Sequence, residues 1–237
     1  MKDRYEFIEK TKNLRLDKNE YLVSFDVESL YPNVPIKEAV QIIKEWLTSR
    51  DLDNNVIDEY VRLVNLCMSQ NTFQFNEKFY TQTEGTPMGN PLSCFIANIF
   101  LSKFETNAKD NFTYFPRFWC RYVDDVFAVF NKNEDLQSFV NILNSIRPSI
   151  KFTFETEVEN KLPFLDLQLT TNNVTGAIEY DIYRKPNQNY RLIPNDSFHP
   201  PSQKRAAFHS LIHTLQHPFI KRKFQKRRKL YHRNCKI

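Results

Sequence analysis

At 237 residues the chain is long enough to bury a substantial core, as one large domain or one domain with an appendage. An aromatic content of 14%, with 21 Phe, excludes a disordered chain, and a mean hydropathy of −0.56 without any long uncharged apolar run argues against a membrane span. The net charge of +5 is uneven. Nine of the 33 Lys and Arg, and none of the 28 Asp and Glu, lie in 221–237, so the first 220 residues hold 24 basic against 28 acidic groups, a net −4. The opening MKDRYEFIEK is polar throughout and lacks an export signal, so a soluble, intracellular protein is expected. Cys67, Cys94, Cys120 and Cys235 are isolated. The first three sit in apolar patterns and read as small core residues in a reducing compartment, with neither a zinc site nor a disulfide framework indicated.

In chain order, YLVSFDV, Tyr21 to Val27, predicts an apolar strand with Asp26 near its end. Pro35 then opens a helix in which Ile36, Val40, Ile43 and Leu47 share a face. A second helix is expected from about Val56 to Met68, and FQFNEKFYTQT reads as a hairpin turning near Asn76 to Lys78. The loop GTPMGN holds Gly85 and Gly89, two of the three glycines of the chain, a sign of close backbone approach. NPLSCFIANIFLSKFE predicts a helix with Leu92, Ile96 and Ile99 on one face. In RYVDDVFAVF two apolar runs flank Asp124 and Asp125, which reads as a hairpin with both carboxylates at its tip. EDLQSFVNILNSI follows as a helix on Leu136, Val140 and Leu143. KFTFETEVE, PFLDLQLTT and AIEYDIYRK follow as three strands, with Asn172 to Gly176 turning between the last two. KRAAFHSLIHTLQH predicts a helix with Phe208, Leu211, Ile212 and Leu215 as its apolar face. His209, His213 and His217 form its polar face, a spacing that also suits a metal. Trp46 and Trp119 read as core.

With the small inserted hairpin set aside, this order is a split β-α-β-β-α-β core in one antiparallel sheet, an α+β fold. The first strand and the central hairpin are then neighbours, which brings Asp26 beside Asp124 and Asp125. An Asp-Asp pair alone is ordinary turn chemistry. Three convergent carboxylates are different: they make an oxygen-rich site for two Mg²⁺ or Mn²⁺ ions about 3.5–4 Å apart, suited to phosphoryl or nucleotidyl transfer. Carboxylates by themselves do not separate a polymerase from a nuclease. The tail, with Lys221, Arg222, Lys223, Lys226, Arg227 and Arg228 interleaved with Phe224 and Tyr231, suits phosphate contact with some stacking, or a solvated helix end or nuclear-localisation-like run, and a nuclear location is expected.

FDVESLYPNVP, GTPMGNPLSCFIANIF, YVDD and LPFLDLQL occur in the order and spacing of the reverse-transcriptase palm, and together most resemble the Penelope-like element reverse transcriptases, relatives of telomerase. The resemblance spans about Tyr21 to Leu169, and YRKP with the following helix resembles that family's thumb. It implies an RNA-directed DNA polymerase acting on an RNA template, a DNA primer and deoxynucleoside triphosphates. It also implies a palm over 1–172, and a primer-grip strand, helical thumb and basic tail over 173–237. By this resemblance Asp26, Asp124 and Asp125 bind the catalytic ions. Tyr31 packs under the nucleotide sugar and screens out a 2′-hydroxyl, and Met88 and Gly89, with Ser93, line the nucleotide pocket. Phe164 and Leu165 belong to the primer grip, Lys161 is a candidate proton donor to pyrophosphate, and Arg184 and Lys185 contact nucleic acid. Asp166 is placed in the grip motif, outside the metal constellation.

Family members carry fingers ahead of the first aspartate, yet only 25 residues precede Asp26, and no GIY-YIG nuclease follows the thumb. The expectation is a fragment with its fingers largely missing. The alternative is a non-catalytic, nucleic-acid-binding remnant of a retroelement. A two-metal nuclease is disfavoured, because Tyr31 and the GTPMGN loop suit nucleotide selection.

Overall fold

The computed structural model of the chain describes residues 1–185, 193–194 and 196–216. In chain order the elements are α1 (Arg4–Thr11), β1 (Glu20–Val27), α2 (Leu30–Asn33), α3 (Ile36–Thr48), α4 (Asn54–Ser69), β2 (Thr72–Phe75) and β3 (Lys78–Thr81). They continue with α5 (Pro91–Asn111), β4 (Phe118–Tyr122), β5 (Asp125–Asn131), α6 (Leu136–Ile146) and β6 (Phe152–Thr156). The last are β7 (Lys161–Phe164), β8 (Leu167–Thr171), β9 (Ile178–Ile182) and α7 (Pro201–Gln216). Packing groups them into two compact units, Val23–Glu155 and Met1–Leu22 with Thr156–Ile237. The 1–172 and 173–237 division read from the sequence follows function, and does not coincide with these units.

The central unit is built on a four-stranded sheet of order β4-β5-β1-β6. With the β2–β3 hairpin set aside, this is the split β-α-β-β-α-β arrangement anticipated from the apolar runs. Strand alternation fixes its faces: Val23, Phe25 and Val27 are buried, and Asp26 between them turns to the accessible side. β5 is an interior strand, and its residues Val126 to Phe130 are all buried. Helix α6 starts where Asp135 accepts from the Gln137 amide at 3.0 Å, and lays Leu136, Phe139, Val140 and Leu143 inward. Phe139 is the hub of an aromatic cluster, with its ring 6.1 Å from Phe25, 4.6 Å from Phe112 and 5.4 Å from Phe130. Helix α5 begins at Pro91, with the Asn90 side chain accepting from the Leu92 amide at 2.9 Å, and buries Ile96, Ala97, Phe100, Leu101 and Phe104. The β2–β3 hairpin turns at Asn76 and Glu77, both at positive φ (47° and 62°), as a two-residue turn of mirror-image type requires.

In the other unit β7, β8 and β9 form a three-stranded antiparallel sheet. Helix α1, capped by Asp3 accepting from the amides of Tyr5 and Glu6, buries Phe7 and Ile8, and Phe7 lies 4.9 Å from the Phe164 ring. Buried Thr11 donates to the Phe7 carbonyl at 2.7 Å and shares a hydrogen bond with the Tyr180 hydroxyl at 2.8 Å. No helix was anticipated from the polar opening segment.

Other expectations need correction. PFLDLQLTT is not one strand but β7 and β8 joined by a turn at Leu165 and Asp166, both at positive φ (47° and 61°). Cys67 and Cys94 are exposed, and only Cys120 of the described cysteines is buried. Trp46 is not core: it is 40% exposed, with the Arg50 guanidinium over its ring at 4.4 Å. Ile212 on α7 is exposed, as is His209, while the side chains of Phe208, Leu211, His213 and Leu215, and all of His217, lie outside the described residues. Among the described residues no helix is long and apolar enough to cross a membrane.

Candidate active site

The site assembles at the end of the central sheet. Asp26 is the penultimate residue of β1, and the amide of its neighbour Val27 donates to the Asp124 carbonyl at 3.2 Å, tying β1 to the hairpin between β4 and β5. Tyr122 pairs with Asp125 as the last register of that hairpin. The turn is therefore Val123–Asp124, one residue earlier than the Asp-Asp tip read from the sequence, and Asp125 is already the first residue of β5. Only Val123 takes positive φ (53°), the pattern of a type II′ turn, a position that ordinarily favours glycine. A β-branched residue held there carries strain of about 1–3 kcal/mol, which persists only where neighbours enforce it.

Electrostatics mark the same place. Partial burial pushes the Asp26 carboxyl above its ordinary range, and the negative charges of Asp124, then Glu28 and Glu155, push it further. Among the described residues no three His, Cys, Asp or Glu side chains are gathered into a ready metal cage. The charge of Asp124 lies near enough to disfavour that of Asp26, and a divalent cation would relieve that repulsion through hard carboxylate oxygens, so the donor set fits Mg²⁺ or Mn²⁺.

The GTPMGN loop packs at Gly85 and Thr86 against the Tyr31–Pro32 segment. Tyr31 sits on α2. Burial first, then a hydrogen bond to the exposed Cys94 thiol, pushes its phenol up to about 12. Its carbonyl is clamped by Thr86, which is fully buried and donates both its amide (2.7 Å) and its hydroxyl (3.1 Å). Gly85, at φ +71°, lies so close to Pro32 that a Cβ would meet the Pro32 carbonyl oxygen at 2.2 Å. The scarce glycine thus marks a close approach to the chain's own Tyr31–Pro32 segment. Gly89, at φ +88°, faces open space, and Met88 is 74% exposed. Buried Ser93 donates to the Pro87 carbonyl at 2.6 Å and closes the loop onto the start of α5.

Other sequence candidates fall in the second unit or outside the described residues. Phe164 ends β7 and is buried, Leu165 opens the following turn, and Lys161 begins β7, exposed. Asp166 in that turn is exposed, 3.6 Å from the Arg4 guanidinium. Arg184 and Lys185 follow β9, half-buried and exposed. The basic tail residues Lys221, Arg222, Lys223, Lys226, Arg227 and Arg228 lie outside the described residues. The sequence reading missed Thr86 and Arg121. The Arg121 side chain is 7% exposed and pairs with Glu105 at 2.9 Å.

A split sheet carrying one carboxylate near the end of its first strand, one in the turn of its central hairpin and one at the start of the strand that follows has the arrangement of a polymerase palm fold. The chain matches the family described as "Reverse transcriptase (RNA-dependent DNA polymerase)" over residues 2–157, about two thirds of its length, and it belongs to that family. The match takes in α1, upstream of the anticipated start at Tyr21, and stops before LPFLDLQL. No curated protein matches the chain. Among solved structures it is similar to telomerase from Candida albicans in complex with a fragment of telomeric RNA. The identity there is 11% at a TM-score of 0.56, over 91% of this chain and 37% of that one. It is also similar to apo telomerase from Candida tropicalis, with 13% identity and a TM-score of 0.52, over 75% of this chain and 34% of that one. The chain spans little more than a third of the length of these structures, and the likeness is one of fold.

Proposed function

We propose that this chain is the palm, with the beginning of the thumb, of an RNA-directed DNA polymerase of the Penelope-like kind, extending a DNA primer along an RNA template with deoxynucleoside triphosphates. The observation that carries the reading is Asp26 at the end of β1, tied through the Val27 amide to Asp124 and raised in pKa by partial burial and then by that residue's charge, within a chain of the reverse transcriptase family. Asp26, Asp124 and Asp125 would hold two Mg²⁺ ions. Bound there, the ions supply charge neutralisation and a lowered pKa for the attacking primer hydroxyl.

The remaining work falls to this chain's own groups. The three carboxylates orient whatever cations they hold by their attachment to two hydrogen-bonded strands. Thr86 fixes the backbone of Tyr31 through its carbonyl, and the ring carried from that fixed point would screen out a 2′-hydroxyl on the incoming nucleotide. The Gly89 turn keeps that side of the pocket free of side-chain bulk. Holding the reactants in line accounts for several kcal/mol of barrier lowering in such reactions, about 7–11 at best. Arg184, Lys185 and the basic tail would contact phosphates, and this binding should weaken steeply with salt.

Primer extension on an RNA template tests the reading. With family-type fingers supplied ahead of the chain, Mg²⁺-dependent incorporation of deoxynucleotides is expected, and is lost in Asp26→Asn and Asp124→Asn, whereas the 237-residue chain alone should bind nucleic acid and extend poorly. Salt-sensitive nucleic-acid binding without extension under any divalent cation, even with fingers supplied, would instead favour the binding remnant.

A further inference from the structure

The strained turn of the aspartate hairpin has an identifiable restraint. Arg121, three residues before Asp124, folds back and uses each of its guanidinium nitrogens. Nε donates to Glu105 Oε1 at 2.9 Å, and Nη2 to Glu105 Oε2 at 3.2 Å, a two-pronged ion pair. Nη2 also donates to Ser102 Oγ at 3.1 Å and to the Asn98 carbonyl at 3.3 Å, while Nη1 donates to Asn98 Oδ1 at 2.9 Å. Nη1 makes one contact outside α5: it donates to the carbonyl of Val123 at 3.1 Å. Asn98, Ser102 and Glu105 recur at helical spacing, so one stripe of α5 is a polar cradle for this side chain. Glu105 is fixed in turn by the indole N–H of Trp119 at 2.8 Å.

We propose that Arg121 is a positioning residue for the metal-binding carboxylates: it bolts the Val123–Asp124 turn to helix α5 and so sets the spacing between Asp124 and Asp26. The inference rests on the reading of these aspartates as cation ligands. Val123 has a left-handed backbone that its own side chain disfavours, and a turn of this kind relaxes unless something outside it holds a carbonyl in place. The Arg121 fork does so from a side chain that is only 7% exposed, where water competes less for the bond. Moving the Val123 carbonyl would carry Asp124 with it, because the next carbonyl in the chain is the one bonded to the Val27 amide of β1.

Mn²⁺ binding to the 237-residue chain, followed by the electron-paramagnetic resonance of free Mn²⁺, tests this without any call on turnover. The variants are Arg121→Gln, Arg121→Lys, and Arg121→Gln combined with Glu105→Gln. The double variant avoids leaving a lone carboxylate against the sheet, and thermal unfolding is recorded for each. Positioning predicts weaker Mn²⁺ binding in all three, by about 10–100-fold, as for other groups that orient metal ligands. Lysine does not rescue, since one ammonium lacks the planar fork that spans Glu105 and the Val123 carbonyl. A purely electrostatic role has the opposite sign: removing a cation near the carboxylates would tighten Mn²⁺ binding. Unchanged or tighter binding in the folded double variant overturns the proposal, as does a lowered melting temperature with unaltered affinity. If the wild-type chain binds no Mn²⁺ that depends on Asp26 and Asp124, the reading of the site itself fails, and this inference with it.

Discussion

Substituting alanine at Gly85 and at Gly89 separates two reasons for a glycine within one loop. Both have left-handed backbones (φ +71° and +88°), so each alanine incurs the same conformational cost, about 1–2 kcal/mol. The surroundings differ. A Cβ on Gly89 meets nothing within 4 Å, whereas one on Gly85 meets the Pro32 carbonyl oxygen at 2.2 Å and the Pro32 Cα at 2.5 Å. Backbone atoms cannot swing aside as a side-chain tip can, so the α2 segment or the loop must shift, which adds about 1–3 kcal/mol. Gly89→Ala should therefore cost about 1–2 kcal/mol, and Gly85→Ala roughly 2–5 kcal/mol in total. Equilibrium urea denaturation reads the difference. Because Thr86 holds the Tyr31 carbonyl from the next position, Gly85→Ala should also disturb the phenol and raise the exposure of Thr86 to hydrogen exchange. Equal losses at the two positions, or a larger one at Gly89, would refute the close-packing argument.

Phe139→Ala removes the hub of the aromatic cluster and should cost about 3–5 kcal/mol, seen as a shift of the denaturation midpoint. Asp26→Asn should stabilise the chain at neutral pH without divalent cation. The folded-state pKa of Asp26 lies above its unfolded value, so its ionisation weakens the fold as pH rises from the unfolded to the folded pKa. The gain should vanish below about pH 3, where the carboxyl is protonated in both states; a melting temperature for Asp26→Asn at or below the wild-type value at neutral pH would contradict this. Tyr31→Ala should raise ribonucleotide incorporation relative to deoxynucleotide in primer extension, and unchanged discrimination would move the gate to another residue.

The sheet was legible because its strands are apolar runs separated by helices with clear 3.6-residue faces, so order and adjacency followed from connection rules. The neighbourhood of Asp26 and the hairpin followed from the same logic. The turn itself was misplaced by one residue, since Val123 in a left-handed conformation defies its own propensity, and the restraint that enforces it comes from α5. Asn98 and Glu105 stand 23 and 16 residues before Arg121 in sequence, where no local pattern reveals the cradle. The Leu165–Asp166 turn was invisible for a related reason: it contains neither Gly nor Asn, so PFLDLQL reads as one strand. Helix α1 was hidden by its polar composition, and what it buries is a short Phe7–Ile8–Thr11 patch. On α4 the apolar pattern overstated burial: of its residues only Ile57 and Met68 are buried, and Cys67 is exposed.

The central claim is that Asp26, Asp124 and Asp125 act as one cation site, and Mn²⁺ titration of the wild-type chain and of the three single Asp→Asn variants tests it most directly. Each variant should lose most of the affinity, while Asp166→Asn, in the β7–β8 turn beside Arg4, should bind as the wild type does. Wild-type Mn²⁺ affinity in Asp26→Asn and Asp124→Asn, or an equal loss in Asp166→Asn, would contradict the account.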